Sequence, residues 1–167
     1  PDVLLGSAEG DDAYLRKARE HAEAGRRVVL LGRTEAALDG GGPPAGLVPV
    51  AYVILTDRVR ETASTTLAYF EKQGVEVKVI SGDHPETVAA VARRVGLSGA
   101  ETPFDAKALP EDREQLAEVL DTHSIFGRVT PHQKRSMVEA LQSQGHVVAM
   151  TGDGVNDVLA LKDADIG

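Results

Sequence analysis

His146-Val-Val-Ala-Met-Thr-Gly-Asp-Gly-Val-Asn-Asp157 reads as a buried strand, a glycine turn and the opening of a helix. Residues 146–150 give the apolar strand, and residues 157–162 begin the helix. Between them, Asp153 at the strand end and Asp157 at the helix start offer hard oxygen ligands. Such a pair suits Mg²⁺, which takes one or two carboxylates together with water and phosphate oxygens. Gly152 and Gly154 let the backbone approach a ligand closely. A bare Gly-Asp-Gly turn with Asp157 as a helix cap gives the same local pattern; the length of the string favours the ligand-binding reading.

Working outward, the same alternation repeats. A helix over 131–144 starts at Pro131 and stops at Gly145, after a short strand at 124–126. A helix over 111–120 precedes that strand. Further upstream come a helix over 85–95 with proline in its first turn, a strand over 75–80, a helix over 61–73 ended by Gly74, and an apolar strand over 48–55. Strands that read as unbroken apolar runs are buried on both faces. With right-handed crossovers they give an α/β fold, a Rossmann-like parallel sheet covered by helices. Ligands in such folds sit beyond the carboxyl ends of the strands, where this chain gathers its polar loops.

The stretch 39–46, Asp-Gly-Gly-Gly-Pro-Pro-Ala-Gly, is the strongest loop signal and marks the expected domain boundary. It separates residues 1–46, with a helix over 12–24 and a strand over 27–31, from residues 47–167.

Composition narrows the classes. The 167 residues carry 18 Lys plus Arg against 26 Asp plus Glu, a net charge of −8, which argues against a nucleic-acid footprint and an anionic membrane surface. With no cysteine, disulfides and thiolate metal sites are excluded. Hydrophobic residues at 42% are enough for a core, and no apolar run reaches the ~18 residues of a spanning helix. The chain opens Pro-Asp rather than with Met, and is expected to be part of something larger that contains membrane segments.

Three further motifs carry chemistry. Lys134 falls in the first turn of the helix opened by Pro131, with Arg128 just upstream. A lysine there directs a compact charge at a phosphate drawn to a helix N-terminus; taken alone it reads better as a solvent-facing lysine, and its position one helix before the Gly-Asp-Gly strand reverses that preference. Ser81-Gly82-Asp83 follows a strand, so a hydroxyl and a glycine amide can hold phosphate oxygens, although such turns are common. Asp57 and Arg60 either clamp a polar ligand or pair with each other, and the residues alone leave both open. His132 has no visible partner and reads as surface.

Taken in order, Ser81-Gly82-Asp83, Lys134 and Gly152-Asp-Gly-Val-Asn-Asp157 resemble the haloacid dehalogenase superfamily, and most closely its P-type ATPase branch. Residues 151–157, followed by Ala160-Leu161-Lys162 and Ala164-Asp165-Ile166-Gly167, are similar to that branch's hinge signature nearly residue for residue. Residues 57–60 resemble its Asp-Pro-x-Arg element with Arg58 in place of proline, and Ser81 stands where Thr is usual. More loosely, Gly6-Ser7-Ala8-Glu9 resembles the Lys-Gly-Ala-Pro-Glu element of the nucleotide-binding domain, with Leu5 in place of the lysine. Residues 25–29 resemble its Gly-x-Arg-Val element, which aligns Arg27 with a nucleotide-contacting arginine; a strand-edge arginine is the plainer reading.

The resemblance implies a haloacid dehalogenase-like parallel sheet in residues 47–167, the larger C-terminal part of a phosphorylation domain. Residues 1–46 then close a partial α+β nucleotide-binding domain. It implies a cytoplasmic piece of a cell-membrane cation pump that hydrolyses ATP through an aspartyl-phosphate. Its partners are ATP, the transported cation and the rest of the pump. Asp153 is the implied Mg²⁺ ligand. Lys134, Ser81 and Gly82 contact the phosphoryl group, and Asp157 with Asn156 organises the loop. Arg27, Asp57, Arg60, Asp83, Arg128 and Asn156 are the implied nucleotide-side residues. No Asp here is followed by Lys-Thr. The family's nucleophile is therefore expected upstream of Pro1, and the isolated chain is expected to be inactive. Two rivals remain. A soluble phosphatase of the same superfamily would share Lys134 and the glycine loop. A binding module would hold nucleotide or phosphate without turnover.

Overall fold

The computed structural model describes residues 12–36, 46–56 and 58–167. Leu5, the 6–9 element, most of the 39–46 loop and Asp57 lie outside the described residues. Contacts group the chain into two compact units, Pro1–Arg58 and Val59–Gly167.

In the first unit, helix α1 (Asp12–Glu23) is followed by strands β1 (Arg26–Arg33) and β2 (Val48–Thr56). The strands pair antiparallel, with Arg26 opposite Thr56 and Arg33 opposite Val48, and the register slips between Leu31 and Gly32. Side chains alternate across a strand. Leu30 is buried with Ala18 of α1, and the Tyr52 hydroxyl donates to the Tyr14 carbonyl at 2.7 Å. The opposite face carries Val29, Leu31, Val53 and Leu55, all exposed. This corrects one expectation. The 48–55 strand exists, but it pairs with β1 rather than lying in the parallel sheet. An apolar run does not reveal which partner it takes. The contacts accordingly divide the chain after β2, whereas the sequence reading divides it at 46/47.

The second unit holds helices α2 (Ala63–Lys72), α3 (Pro85–Arg94), α4 (Arg113–Thr122), α5 (Pro131–Ser143) and α6 (Val158–Asp163). Its strands are β3 (Val79–Ile80), β4 (Phe104–Asp105) and β5 (Ile125–Gly127). The sheet is parallel, in the order β3-β5-β4. This is the α/β architecture that the sequence predicts, a parallel sheet covered by helices. Successive residues of β5 face opposite layers. Ile125 packs with Val88, Ala89 and Ala92 of α3, and Phe126 packs with Leu116 and Leu120 of α4 and Met137 and Ala140 of α5. Burying one such side chain is worth ~1.5–3 kcal/mol. Gly127 is required at the end of β5, since a Cβ there would lie 2.4 Å from the Pro85 Cα.

Helices were legible to within a few residues, and strands less so. The 75–80 strand shrinks to Val79–Ile80. The 146–150 strand is not in the sheet at all: Ala149 forms an isolated parallel bridge to Ile166, and Val147 is 79% exposed. The segment is tied down at its polar groups instead. The Val148 amide donates to Asp165 at 2.8 Å, and Met150 N–H donates to Ile166 at 2.8 Å. Strand β4 was not anticipated, because two residues show no periodicity.

Candidate phosphate-handling site

The three parallel strands end side by side, and their carboxyl ends lead into the polar loops. After β3, the Ser81 hydroxyl accepts the Asp83 amide at 3.1 Å. This local turn leaves the hydroxyl hydrogen able to donate. After β5, the Val129 amide donates to Ser81 O at 2.9 Å and the Arg128 amide to Asp83 O at 2.7 Å. The Ser81-Gly82-Asp83 loop and the approach to α5 are thus laced together.

Arg128 has φ +58°, the single described non-glycine residue in the left-handed region. That conformation costs an L-residue ~1–2 kcal/mol. Its guanidinium donates to Asp105 Oδ2 at 2.6 Å. Burial pushes the Asp105 carboxyl up, but the Lys107 amide and Arg128 together outweigh it and hold the group below its usual value.

Helix α5 begins as the sequence predicts, with Pro131 at its first position. Thr130 and Gln133 cap each other reciprocally: Gln133 N–H donates to Thr130 Oγ1 at 3.3 Å and Thr130 N–H to Gln133 Oε1 at 2.9 Å. Gln133 Nε2 also donates to Ala106 O at 2.7 Å, fixing α5 against the turn after β4. One residue further on, Lys134 Nζ donates to Asp157 Oδ1 at 2.5 Å, with each side chain 11% exposed. Lys134 is therefore not a solvent-facing lysine. The Lys134 hydrogen bond is the main reason Asp157 sits below the usual carboxylate range; burial opposes it, and the Gly154 amide assists.

This geometry also decides the reading of Asp157. Its side chain makes no helix-cap bond to α6, because it is turned toward Lys134. Gly152 permits that placement, since a Cβ there would lie 2.6 Å from Asp157 Oδ2. Asp153 and Asn156 are exposed on the same loop.

Ser81, Gly82, Asp83 and Arg128 are tied together by these bonds and their shared loop, and Lys134 with Asp157 forms a second tied pair. Arg60 is exposed ahead of α2. Arg27 is exposed in the first unit, opposite Leu55. Asp105 was missed by sequence reading, and its only signal is a carboxylate directly after a phenylalanine at a strand too short to detect. Among the described residues no cluster of three or more His, Cys, Asp or Glu could hold a metal. A Mg²⁺ site completed by water and phosphate needs no such cluster. With Asp157 engaged by Lys134, exposed Asp153 is the loop carboxylate suited to it.

A parallel sheet between helix layers, with polar loops at its strand ends and a buried lysine–aspartate pair, is consistent with a haloacid dehalogenase-like hydrolase. The haloacid dehalogenase-like hydrolase family matches residues 5–165, and the chain belongs to it. Among curated relatives it is 54% identical, over its whole length, to the calcium-transporting ATPase CtpE of Mycobacterium bovis. It is 53% identical to the protein of that name in Mycolicibacterium smegmatis, and 39% identical, over 99% of the chain, to the probable cation-transporting ATPase exp7 of Streptococcus pneumoniae. In each case the chain spans 20% of the relative's length. Among the described residues no helix is long and apolar enough to cross a membrane.

Proposed function

We propose that this chain is part of a P-type cation pump on the cytoplasmic side of a cell membrane. In this reading residues 47–167 contribute the larger part of the phosphorylation domain, and residues 1–46 the end of the nucleotide-binding domain. The observation that carries the reading is the Lys134–Asp157 bond, with the Ser81-Gly82 loop, at the carboxyl end of a parallel strand, hydrogen-bonded to the segment that enters the Lys134 helix. The names of the relatives support the coupling to cation transport and make calcium the first cation to test.

Asp157 anchors Lys134 so that its charge faces the transferred phosphoryl group. The Ser81 hydroxyl and the Gly82 amide donate to the same group, and Asn156 steadies the loop. Asp83, Arg128 and Arg60, with Asp57 and Arg27, serve the nucleotide. Magnesium, when bound at Asp153, supplies charge neutralisation to the phosphoryl oxygens. Catalysis of this kind rests on positioning and preorganised charge. The nucleophile is an aspartate outside this sequence, so the isolated chain should not release phosphate from ATP.

The test is Asp153→Asn in the full-length protein. The exchange preserves size and leaves the packing around Gly152 undisturbed, but removes the charge that attracts the metal. Phosphoenzyme formation should fall by ~10²–10³. Equal phosphorylation of wild type and variant at limiting Mg²⁺ would reject Asp153 as the metal carboxylate.

A further inference from the structure

Residues 148–150 lead straight into the glycine loop 151–157, yet they stand outside the β3-β5-β4 sheet. Their partner is the segment that follows α6. Met150 N–H donates to Ile166 O at 2.8 Å and Ile166 N–H to Val148 O at 3.2 Å, the two bonds of the parallel bridge between Ala149 and Ile166. In a full ladder the Val148 amide would meet another backbone carbonyl. Here a side chain takes that place: Asp165 Oδ2 accepts the Val148 amide at 2.8 Å. The same oxygen accepts Gln142 Nε2 at 3.2 Å, and Gln142 Nε2 also donates to Asp163 O at 2.9 Å. Gln142 lies on α5, the helix whose first turn carries Lys134. The glycine loop is therefore tied to one helix at both ends. Lys134 holds its exit at Asp157, and Gln142 holds its entrance through Asp165 and Val148.

We propose that Asp165 is a positioning residue for the phosphate-handling loop: by joining the Val148 amide to Gln142 of α5, it sets where residues 151–157 begin and so where the Asp153 carboxylate is presented. This rests on the reading of Asp153 as the Mg²⁺ carboxylate. Asp165 touches no ligand itself. Asp153 is exposed, so the backbone that carries it decides its place.

The experiment uses the full-length protein as wild type, Asp165→Ala, Asp165→Asn, Gln142→Ala and Asp153→Asn. Amide hydrogen exchange over residues 148–156 is followed without Mg²⁺, and phosphoenzyme formation at saturating ATP is followed against Mg²⁺ concentration. Asp165→Ala should speed exchange at residues 148–150. It should raise the Mg²⁺ concentration for half-maximal phosphorylation about three- to tenfold, less than for a group bonded directly to a metal ligand. Excess Mg²⁺ should restore the maximal level. Asp165→Asn should behave as wild type in both readouts, because one amide oxygen can accept from Val148 and Gln142 together. Gln142→Ala cuts only the tie to α5, and should shift both readouts in the same direction by less; it decides the matter if Asp165→Ala does not fold. Wild-type behaviour of Asp165→Ala or Gln142→Ala, beside an impaired Asp153→Asn, overturns the proposal and leaves the site reading standing. An Asp165→Asn variant as impaired as Asp165→Ala overturns it too, since the two bonds are then not what matters. Faster exchange throughout the second unit, or a loss that Mg²⁺ does not restore, would mean a general stabilising role instead. No effect of Asp153→Asn removes the reading of Asp153, and the proposal with it.

Discussion

β2 and β5 are both apolar strands, and they have opposite surroundings. β2 runs for nine residues, none of them buried. β5 has three, all buried. The difference is in the number of covered faces. β5 has α3 on one side and α4 with α5 on the other, so each of its residues meets a helix. β2 pairs with β1, and the hairpin face bearing Val29, Leu31, Val53 and Leu55 is exposed. Length and hydropathy rank β2 first as a core strand, but coverage reverses the order.

The sharpest way to break this comparison is truncation at Phe126. Phe126→Ala should cost ~3–5 kcal/mol, because the site is closed on every side and collapses only partly. Val53→Ala in β2 should stay within ~0.5 kcal/mol, as expected for an exposed position. Urea denaturation monitored by circular dichroism compares them directly. Similar midpoint shifts for the two variants would show that coverage is not what separates the strands.

A smaller effect probes the edge of the β5 layer, where α5 meets the glycine loop. Asp157→Ala leaves the Lys134 ammonium without its partner in a largely buried position, and should destabilise by ~2–4 kcal/mol. The pair also carries a pH signature. The folded-state carboxyl lies below its ordinary value, chiefly because of Lys134. Its stabilisation is therefore complete above about pH 4 and is lost as pH falls through the lower folded value. Denaturation midpoints measured between neutral and strongly acidic pH should converge for wild type and Asp157→Ala at the acid end. A gap that stays constant across that range would mean the Lys134 contact is not the source.

A further change at the end of β5 is Gly127→Ala. Its Cβ meets the Pro85 backbone, so the first turn of α3 has to shift, at ~1–3 kcal/mol. Because the shift also moves the strand end that carries Arg128, thermal melts should show the loss together with weaker nucleotide binding by the full-length protein.

Helices were easy to read because each announces its ends. Pro85 and Pro131 open α3 and α5, and Gly74, Gly96 and Gly145 follow three helix ends with positive φ. Strands of two or three residues carry no such punctuation, which is why β4 went unseen and 75–80 was drawn too long. The site was legible wherever a motif string is contiguous, as in residues 151–157. The link from Lys134 to Asp157 joins separate elements, and the sequence supplied both residues but not their bond. The pairing of Asp105 with Arg128 was invisible because it depends on register with Gly127, a property of the folded sheet alone.

The strand order β3-β5-β4 has a consequence for how the chain acquires its shape. The central strand is the last of the three in sequence. During synthesis, β3 and β4 emerge with no ladder to join until Ile125–Gly127 arrives, and Val79 must wait for Ile125. Such non-local pairing slows folding, since the intervening chain has to be closed into loops before any sheet contact repays the lost entropy. The second unit should therefore assemble late and in one step, with its helices flickering on the nascent chain beforehand. A ribosome stalled before Ser124 would present a chain with no parallel sheet to protect, and one stalled well past Gly127 a chain that has just closed.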